Sequence, residues 1–484
     1  MTVLAIDQGT SATKALVVTD EGAVLAEAES PVTAGPTPDG GIEQDPGQLL
    51  SSVLDAGRRA VAAAGARIDA IGFANQGETV LAWDRATGTP LGPAISWQDR
   101  RATSVCAELD ARAGALNALS GLPLDPYFAA PKMAWLRRRI GRRGVVTTTD
   151  SWLLHQIAGA YVTDVTTASR TMLLDLDHRV WSGEACDAFG LDLDALPQIV
   201  GCDEIIGETA AFGATTVISG LCVDQQAALV GQRCLDVADA KCTYGTGAFL
   251  LANTGTDAVR STGGLASSVA WAVAGSFAYC LDGQVYTAGE ALAWLRRWGL
   301  LSGAEDLDRI AGSVPDAGTV NVVPALCGLG APWWRPDALA LIDGIGLGTE
   351  PAHVVRATIE GIAAQVALLV RAVEGDLGRA LRVLKVDGGL TRSALLVQTQ
   401  ADLLQVPVEV APSAHATAFG VAALASVGAG RAAGLHDAVR VATPVAIHEP
   451  RISRAHADQR LARFGDAVTR LIGPDRATPG THPS

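Results

Sequence analysis

Two segments of this chain share one design, about half a chain apart. The first runs Val3-Leu4-Ala5-Ile6-Asp7-Gln8-Gly9-Thr10-Ser11-Ala12-Thr13-Lys14-Ala15-Leu16-Val17-Val18. An apolar strand enters a Gly/Thr/Ser turn and a second apolar strand leaves it, which is the pattern of a β-hairpin. The second segment is Lys241-Cys242-Thr243-Tyr244-Gly245-Thr246-Gly247-Ala248-Phe249-Leu250-Leu251-Ala252. It again reads strand, Gly-Thr-Gly turn, strand. One device used twice at this separation predicts a duplicated architecture with two related lobes.

The chain's 484 residues exceed one compact core and suggest two to four units. Hydrophobic residues make up 49% and charged residues 18%, enough to bury large cores. The formal net charge is −14, which offers no electrostatic footprint for nucleic acid or an anionic membrane, so neither is expected as a partner. A polyanionic ligand must then be held by local devices: backbone amides, a metal ion and a few placed cations. The eight cysteines are scattered singly, without a CxxC pair or zinc-ligand spacing, as in a cytoplasmic protein with reduced thiols. The eight histidines show no metal-ligand spacing either. The first residues lack the basic start and long apolar region of a signal peptide. Residues 414–433 are apolar but rich in Ala and Gly, and read as a core helix rather than a membrane span.

Strand-like runs at 70–74, 215–219, 320–323 and 383–386 alternate with helical stretches, the signature of an α/β chain. Val355, Ile359, Ile362, Val366, Leu369 and Val373 form one helical stripe, with Thr349 as the expected cap and Pro351 in the first turn. Residues 31–41 are dense in Pro and Gly and read as a loop. The lobe boundary is placed near residue 250, to within about ten residues, which divides the chain into 1–250, 251–473 and a mobile tail, 474–484.

Several segments can carry chemistry. In the first turn, Gly9 allows close backbone approach, successive amides can cradle a phosphate, and the Thr10 and Ser11 hydroxyls can help. Lys14 can add a charge nearby, and Asp7, at the end of a buried strand, can hold a magnesium ion. Ordinary turn chemistry fits the same residues. Tyr244-Gly245-Thr246-Gly247 is a second cradle of the same kind, and the two turns can clamp one nucleotide from opposite sides. Asp387-Gly388-Gly389-Leu390-Thr391-Arg392-Ser393 joins a strand to a helix, where nucleotides dock on α/β sheets, although a tight turn capped by Ser393 fits as well. Asp224, just past an apolar strand end and followed by Gln225 and Gln226, can act as a general base or as a helix cap. Asn75-Gln76-Gly77-Glu78-Thr79 and Ile95-Ser96-Trp97-Gln98-Asp99-Arg100-Arg101 are dense in hydrogen-bonding groups, as a polyol pocket requires. On these segments alone, a surface hairpin around Trp83–Gly88 with Glu78 and Arg100 as surface charges is the simpler account.

Taken together, these segments resemble the FGGY family of carbohydrate kinases, and within it the glycerol kinases. The resemblance adds Glu43-Gln44-Asp45-Pro46, Asp125-Pro126-Tyr127-Phe128, Ala168-Ser169-Arg170-Thr171-Met172-Leu173 and Gly328-Leu329-Gly330-Ala331-Pro332-Trp333-Trp334, and covers nearly the whole chain in order. It implies an α/β fold of two actin-like ATPase domains, ribonuclease-H-like in core, around a deep cleft. It implies that ATP and Mg2+ are used, with Asp224 as general base and Asp7 organising the metal. Thr10, Ser11, Lys14, Thr246, Gly289, Gly389 and Ser393 would line the nucleotide side. Gly77, Glu78, Trp97, Tyr127, Asp224, Gln225 and Phe249 would contact or flank a small polyol or sugar. A homodimer is common in the family.

Two positions depart from the glycerol-kinase pattern. Gly77 stands where those enzymes usually have an arginine, so a guanidinium that would fork onto substrate hydroxyls is missing and space is left. Ser393 stands where they tend to have asparagine. The resemblance implies ATP-dependent phosphorylation of a primary hydroxyl of a small polyol or sugar, with glycerol the leading acceptor; the first departure weakens the case for glycerol and favours the alternative of a larger polyol or ketose, such as erythritol, xylitol, xylulose or ribulose. Two other readings remain open at this point: an actin-like ATPase that uses ATP to change shape, and a sugar sensor that has lost catalysis.

Overall fold

The computed structural model describes residues 1–473, so the expected tail at 474–484 lies outside the described residues. The first hairpin forms as expected. Strand β1 (Thr2–Gln8) pairs antiparallel with β2 (Ala12–Thr19), which pairs with β3 (Val24–Pro31). Helix α1 (Pro46–Ala64) then crosses over to β4 (Ala70–Asn75), which lies parallel to β1. Strand β5 (Gly207–Thr209) is the edge, antiparallel to β6 (Thr216–Val223), which is parallel to β4. The sheet order is β5-β6-β4-β1-β2-β3. Val3, Leu4, Ala5 and Ile6 are all buried, the continuous apolar run of a strand covered on both faces.

The second sheet repeats this plan. Strands β7 (Ala240–Tyr244) and β8 (Ala248–Gly255) form the second hairpin, and β9 (Ala266–Val273) and β10 (Ser276–Val285) extend it. Strand β11 (Leu384–Asp387) is parallel to β7, β12 (Val408–Val410) is parallel to β11, and β13 (Ala446–His448) is antiparallel to β12. The order β9-β10-β8-β7-β11-β12-β13 matches the first sheet strand for strand and direction for direction, with β9 added at one edge. The duplication expected from two turns is a duplication of whole sheets.

A small antiparallel sheet (Ala34–Pro36, Ile42–Gln44, Val80–Trp83, Ala94–Ile95 and Val145–Thr148) is inserted in the first lobe. It carries Glu78 just before one strand and Trp97 just after another. The remaining helices that bear on the site are α2 (Val165–Ser169), α3 (Asp224–Gly231), α4 (Gly289–Arg297), α5 (Pro351–Leu377), α6 (Ala394–Leu404) and α7 (Ala416–Gly428).

Helix α5 buries the whole expected stripe from Val355 to Val373 in the second lobe's core. Its cap is Glu350 rather than Thr349. The extended backbone of Glu350 (φ −102°, ψ 159°) lets its side chain accept from the third helical amide while His353 reaches back. The Thr349 hydroxyl accepts from Gly346 N instead, at 3.0 Å. Among the described residues, α5 is the one helix long and apolar enough to cross a membrane, and it is mostly buried inside the protein.

Helix α7 comes from the C-terminal half, yet it packs on the first lobe. A Cβ on Gly420 would lie 1.8 Å from Ala227 O, and one on Gly231 would lie 1.9 Å from Ala416 O. Helices α3 and α7 therefore touch backbone to backbone, which only glycine permits. Their buried faces join β1, β4 and β6 in one core. This crossing anchors the helix that begins with Asp224.

Candidate active site

A cavity of about 560 Å³ opens between the two sheets. Thr10, Ser11, Gly77, Glu78, Trp97, Tyr127, Asp224 and Gln225 line it from the first lobe, and Thr246 and Phe249 from the second. The two Gly/Thr turns thus face one space from opposite sides. Five other residues singled out in the sequence are not on the cavity wall. Asp7 is half-buried and pairs in register with Lys14 across the hairpin, and the Lys14 ammonium lies 4.0 Å from Glu29. Gly289 opens α4 and donates its amide to Gly245 O at 3.0 Å, which ties α4 to the second turn. Gly389 is exposed at the end of β11. Ser393 caps α6 by accepting from Leu396 N at 3.0 Å, and its hydroxyl also bonds the Asp308 carboxylate.

Asp224 occupies the first turn of α3, whose cap is Val223. Its carboxylate accepts from Gln225 N at 2.6 Å and faces the cavity half-buried. Burial, followed by the nearby charges of Asp7 and Glu78, pushes its pKa up to about 7, while Lys241 pulls the other way. Asp7 is likewise pushed up to about 6 by burial, against the pull of Lys14. A carboxylate balanced near neutrality beside a cavity is suited to accept a proton.

Glu78 sits in left-handed backbone, φ 57°, which is uncommon for a residue with a Cβ. Its carboxylate is buried, where Arg170 Nε meets it at 2.6 Å. The same guanidinium bonds Asp282 of β10, and Gln284 donates to the other oxygen of Asp282. Arg170, Glu78 and Asp282 are each less than 5% exposed. Burial raises the carboxyl pKa values of Glu78 and Asp282, and Arg170 draws them back. Burial also works against the charge on Arg170, but its two carboxylates outweigh it and hold it cationic. Trp97 packs edge-on against Tyr127 and Phe249, with centroids 5.8 and 5.9 Å apart, and donates its indole N–H to Thr10 Oγ1 at 2.8 Å. Aromatic edges beside acceptor-rich polar groups suit a ligand with carbon on one side and hydroxyls on the other.

The site also has charged and polar residues that were not chosen from the sequence. Arg170, Asp282 and Gln284 line the cavity, and Lys241 is buried beneath it. The Lys241 ammonium donates to Gln225 Oε1 at 2.6 Å and Thr243 Oγ1 at 3.0 Å, joining the two lobes under Asp224. Arg170 carried a signal, since it lies in a segment that took part in the family resemblance.

The residues present also fit a nucleotide and a divalent cation. Among the described residues, Asp387 Oδ1 is buried without a partner at the end of β11, and burial raises that carboxyl too. Carboxylates that burial holds above their usual range suit a hard cation with oxygen ligands. At the second turn a Cβ on Gly247 would lie 2.5 Å from Val285 O, and one on Gly289 2.6 Å from Gly245 O. Glycine at these two positions lets the turn pack backbone to backbone against β10 and α4, with Thr246 on the cavity wall.

Several known proteins are similar to this chain. A glycerol kinase of Thermus brockianus is 42% identical over 97% of this chain and 98% of its own. The crystal structure of Plasmodium falciparum glycerol kinase with ADP superposes with a TM-score of 0.89 at 30% identity, covering 97% of this chain and 98% of that one. A structure described as a xyloylose kinase from Brucella ovis gives 0.88 at 26% identity, over 98% and 100% of the two chains. The N-terminal domain of the FGGY family of carbohydrate kinases matches residues 2–231 and its C-terminal domain matches residues 240–429. By sequence along its length and by fold, this chain belongs to the FGGY family of carbohydrate kinases.

Proposed function

We propose that the protein transfers the γ-phosphoryl group of ATP to a primary hydroxyl of a small polyol or sugar, with Asp224 as general base. Glycerol, yielding glycerol 3-phosphate and ADP, is the acceptor to which the relatives' names point. The observation that carries the reading is the half-buried Asp224 carboxylate on a cavity that both Gly/Thr turns enter.

The Asp224 carboxylate takes the proton of the attacking hydroxyl as its oxygen closes on the γ-phosphorus. Glu78 and Gln225 orient the polyol through its hydroxyls, and Trp97, Tyr127 and Phe249 present an apolar face to its carbons. Gly77 leaves room beside them. Thr10, Ser11, Thr246 and the turn amides hold phosphate oxygens, with Lys14, Gly289, Gly389 and Ser393 on the nucleotide side. Asp7 would hold Mg2+, directly or through water, and the ion would neutralise phosphate charge. Closure of the lobes would exclude water and suppress idle ATP hydrolysis.

The division of the chain near residue 250 belongs to the same proposal. The second sheet begins at Ala240, so the whole second hairpin goes with the second lobe and the division falls before that hairpin rather than after it. A cytoplasmic location is supported by eight unpaired cysteines, seven of them buried. A homodimer rests on the family resemblance, and light scattering decides it.

The test is ADP formation with glycerol, tetritols, pentitols, ketopentoses and gluconate in turn. The reading requires ATP consumption that depends on one of these acceptors. ATP consumption at the same rate with and without every acceptor would instead favour a shape-changing ATPase.

A further inference from the structure

The strand that delivers Asp224 is held near its end by a side chain rather than by another strand. Strand β6 pairs with β5 only from Thr216 to Ile218. Beyond that point this edge of β6 has no strand beside it among the described residues. Its amides are paired all the same. Leu221 N donates to Cys202 O at 2.9 Å, and Val223 N donates to Thr166 Oγ1 at 3.0 Å. Val223 is the cap of α3, one residue before Asp224. A hydroxyl from α2 thus stands where the carbonyl of a neighbouring strand would stand in a longer sheet.

The Thr166 hydroxyl has one proton to give and lone pairs to receive. Asp164 caps α2, and its carboxylate accepts from the amides of Thr166 and Thr167 at 2.8 and 3.2 Å. It also accepts from both hydroxyls, that of Thr167 at 2.6 Å. With its proton given to Asp164, the Thr166 oxygen is turned to accept from Val223 N. Asp164, Thr166, Thr167 and Val223 are all buried, so solvent does not replace this bond when it is lost.

The other end of α2 leads straight into Arg170, whose guanidinium holds Glu78 and Asp282. Ser169 Oγ accepts from Val269 N of β9 at 3.0 Å, a second-lobe counterpart of the Thr166 bond. One short helix therefore meets an edge strand of each sheet. It places the residue before Asp224 at one end and the partner of Glu78 at the other.

We propose that Thr166 is a positioning residue for phosphoryl transfer: oriented by Asp164, its hydroxyl holds the Val223 amide and so fixes where Asp224 stands relative to Glu78. Thr166 lies behind the cavity wall and not on it, so it acts through backbone and not by touching a substrate. Its loss should therefore lower turnover more than binding. This rests on Asp224 as general base and adds the device that places it.

The experiment compares Thr166→Val, Thr166→Ala and Thr166→Ser with Thr167→Val. Thr167 is the control because it is as buried as Thr166, sits in the same turn and donates to the same carboxylate, but its hydroxyl has Asn75 Oδ1 at 3.5 Å as its other neighbour instead of Val223. Each protein is checked by circular dichroism and urea denaturation, and kcat and KM are measured by ADP formation with the wild type's best acceptor. Thr166→Val and Thr166→Ala remove the hydroxyl and should lower kcat at least ~10-fold, as displacement of a catalytic group does. KM for ATP and for the acceptor should stay within about threefold of wild type. Thr166→Ser keeps the hydroxyl and should stay within about threefold of wild type in kcat. Thr167→Val should lose stability as Thr166→Val does, yet keep kcat within about threefold. The Ala and Ser variants still separate hydroxyl from volume if Thr166→Val does not fold. Equal kcat losses in the two valine variants, a Thr166→Ser protein as slow as Thr166→Ala, or wild-type kcat in folded Thr166→Val or Thr166→Ala would overturn the positioning role and leave the kinase reading intact. A wild-type protein without acceptor-dependent ADP formation would overturn that reading and this inference together.

Discussion

Removing an ion from water costs several kcal/mol, and Glu78, Arg170 and Asp282 are all removed from it. One guanidinium between two carboxylates offsets much of that cost only while all three are present. Arg170→Leu would strand two buried carboxylates, and the expected loss is about 3–5 kcal/mol of folding free energy, read by urea denaturation. A loss under about 1 kcal/mol would mean that the row is hydrated and unimportant to the fold. Asp224 predicts a pH dependence of definite sign. It works as a base only when deprotonated, and its pKa stands at about 7. The acid limb of kcat/KM should therefore fall about tenfold per pH unit below about 7 and level off above it. A limb centred near pH 4, the range of an ordinary carboxylate, would contradict the environment described for Asp224. At this scale the sequence disclosed residues that sit at strand ends and turns, where Asp, Gly and Thr announce themselves. Thr10, Glu78, Asp224 and Thr246, which line the cavity, stood out for that reason. Arg170, Asp282, Gln284 and Lys241 act through pairings across the fold, and the Arg170–Asp282 bond joins residues 112 positions apart. A mid-strand Asp282 carries no local mark of that partnership.

Elements were legible where one periodicity ruled. The hairpins, the strands that became β4, β6 and β11, and the stripe of α5 all appeared as their patterns require. The cap of α5 moved by one residue because Glu350, unlike Thr349, could share a reciprocal bond with His353. The crossing of α3 and α7 could not be read in advance. Ala/Gly-rich sequence says that a helix packs closely, but not against what. The structure shows that Gly420 and Gly231 let the two backbones touch, and that this contact seats the helix carrying Asp224. Gly420→Ala would push a methyl group into Ala227 O. It should lower stability by about 2 kcal/mol or more in urea denaturation, with lower turnover as α3 shifts. Unchanged stability and turnover would show that the crossing can relax without moving the site.

At the scale of the molecule, two sheets of the same order and direction face one cleft, and each contributes a Gly/Thr turn to it. The duplication was visible in two short turns because each turn lies at the corresponding place in its sheet. The return of α7 to the first lobe was not visible, since chain order says nothing of which lobe a late helix rejoins. The chain is an FGGY carbohydrate kinase with ATP as phosphoryl donor, and Asp224 is proposed to stand between the two substrates in the cavity. The most direct test is the turnover of Asp224→Asn, which keeps the shape of the side chain and removes the proton acceptor. With the wild type's best acceptor and saturating ATP, polyol-dependent ADP formation should fall at least ~100-fold while circular dichroism and nucleotide affinity stay those of the wild type. A well-folded Asp224→Asn protein that phosphorylates its acceptor at near wild-type rate would contradict the account.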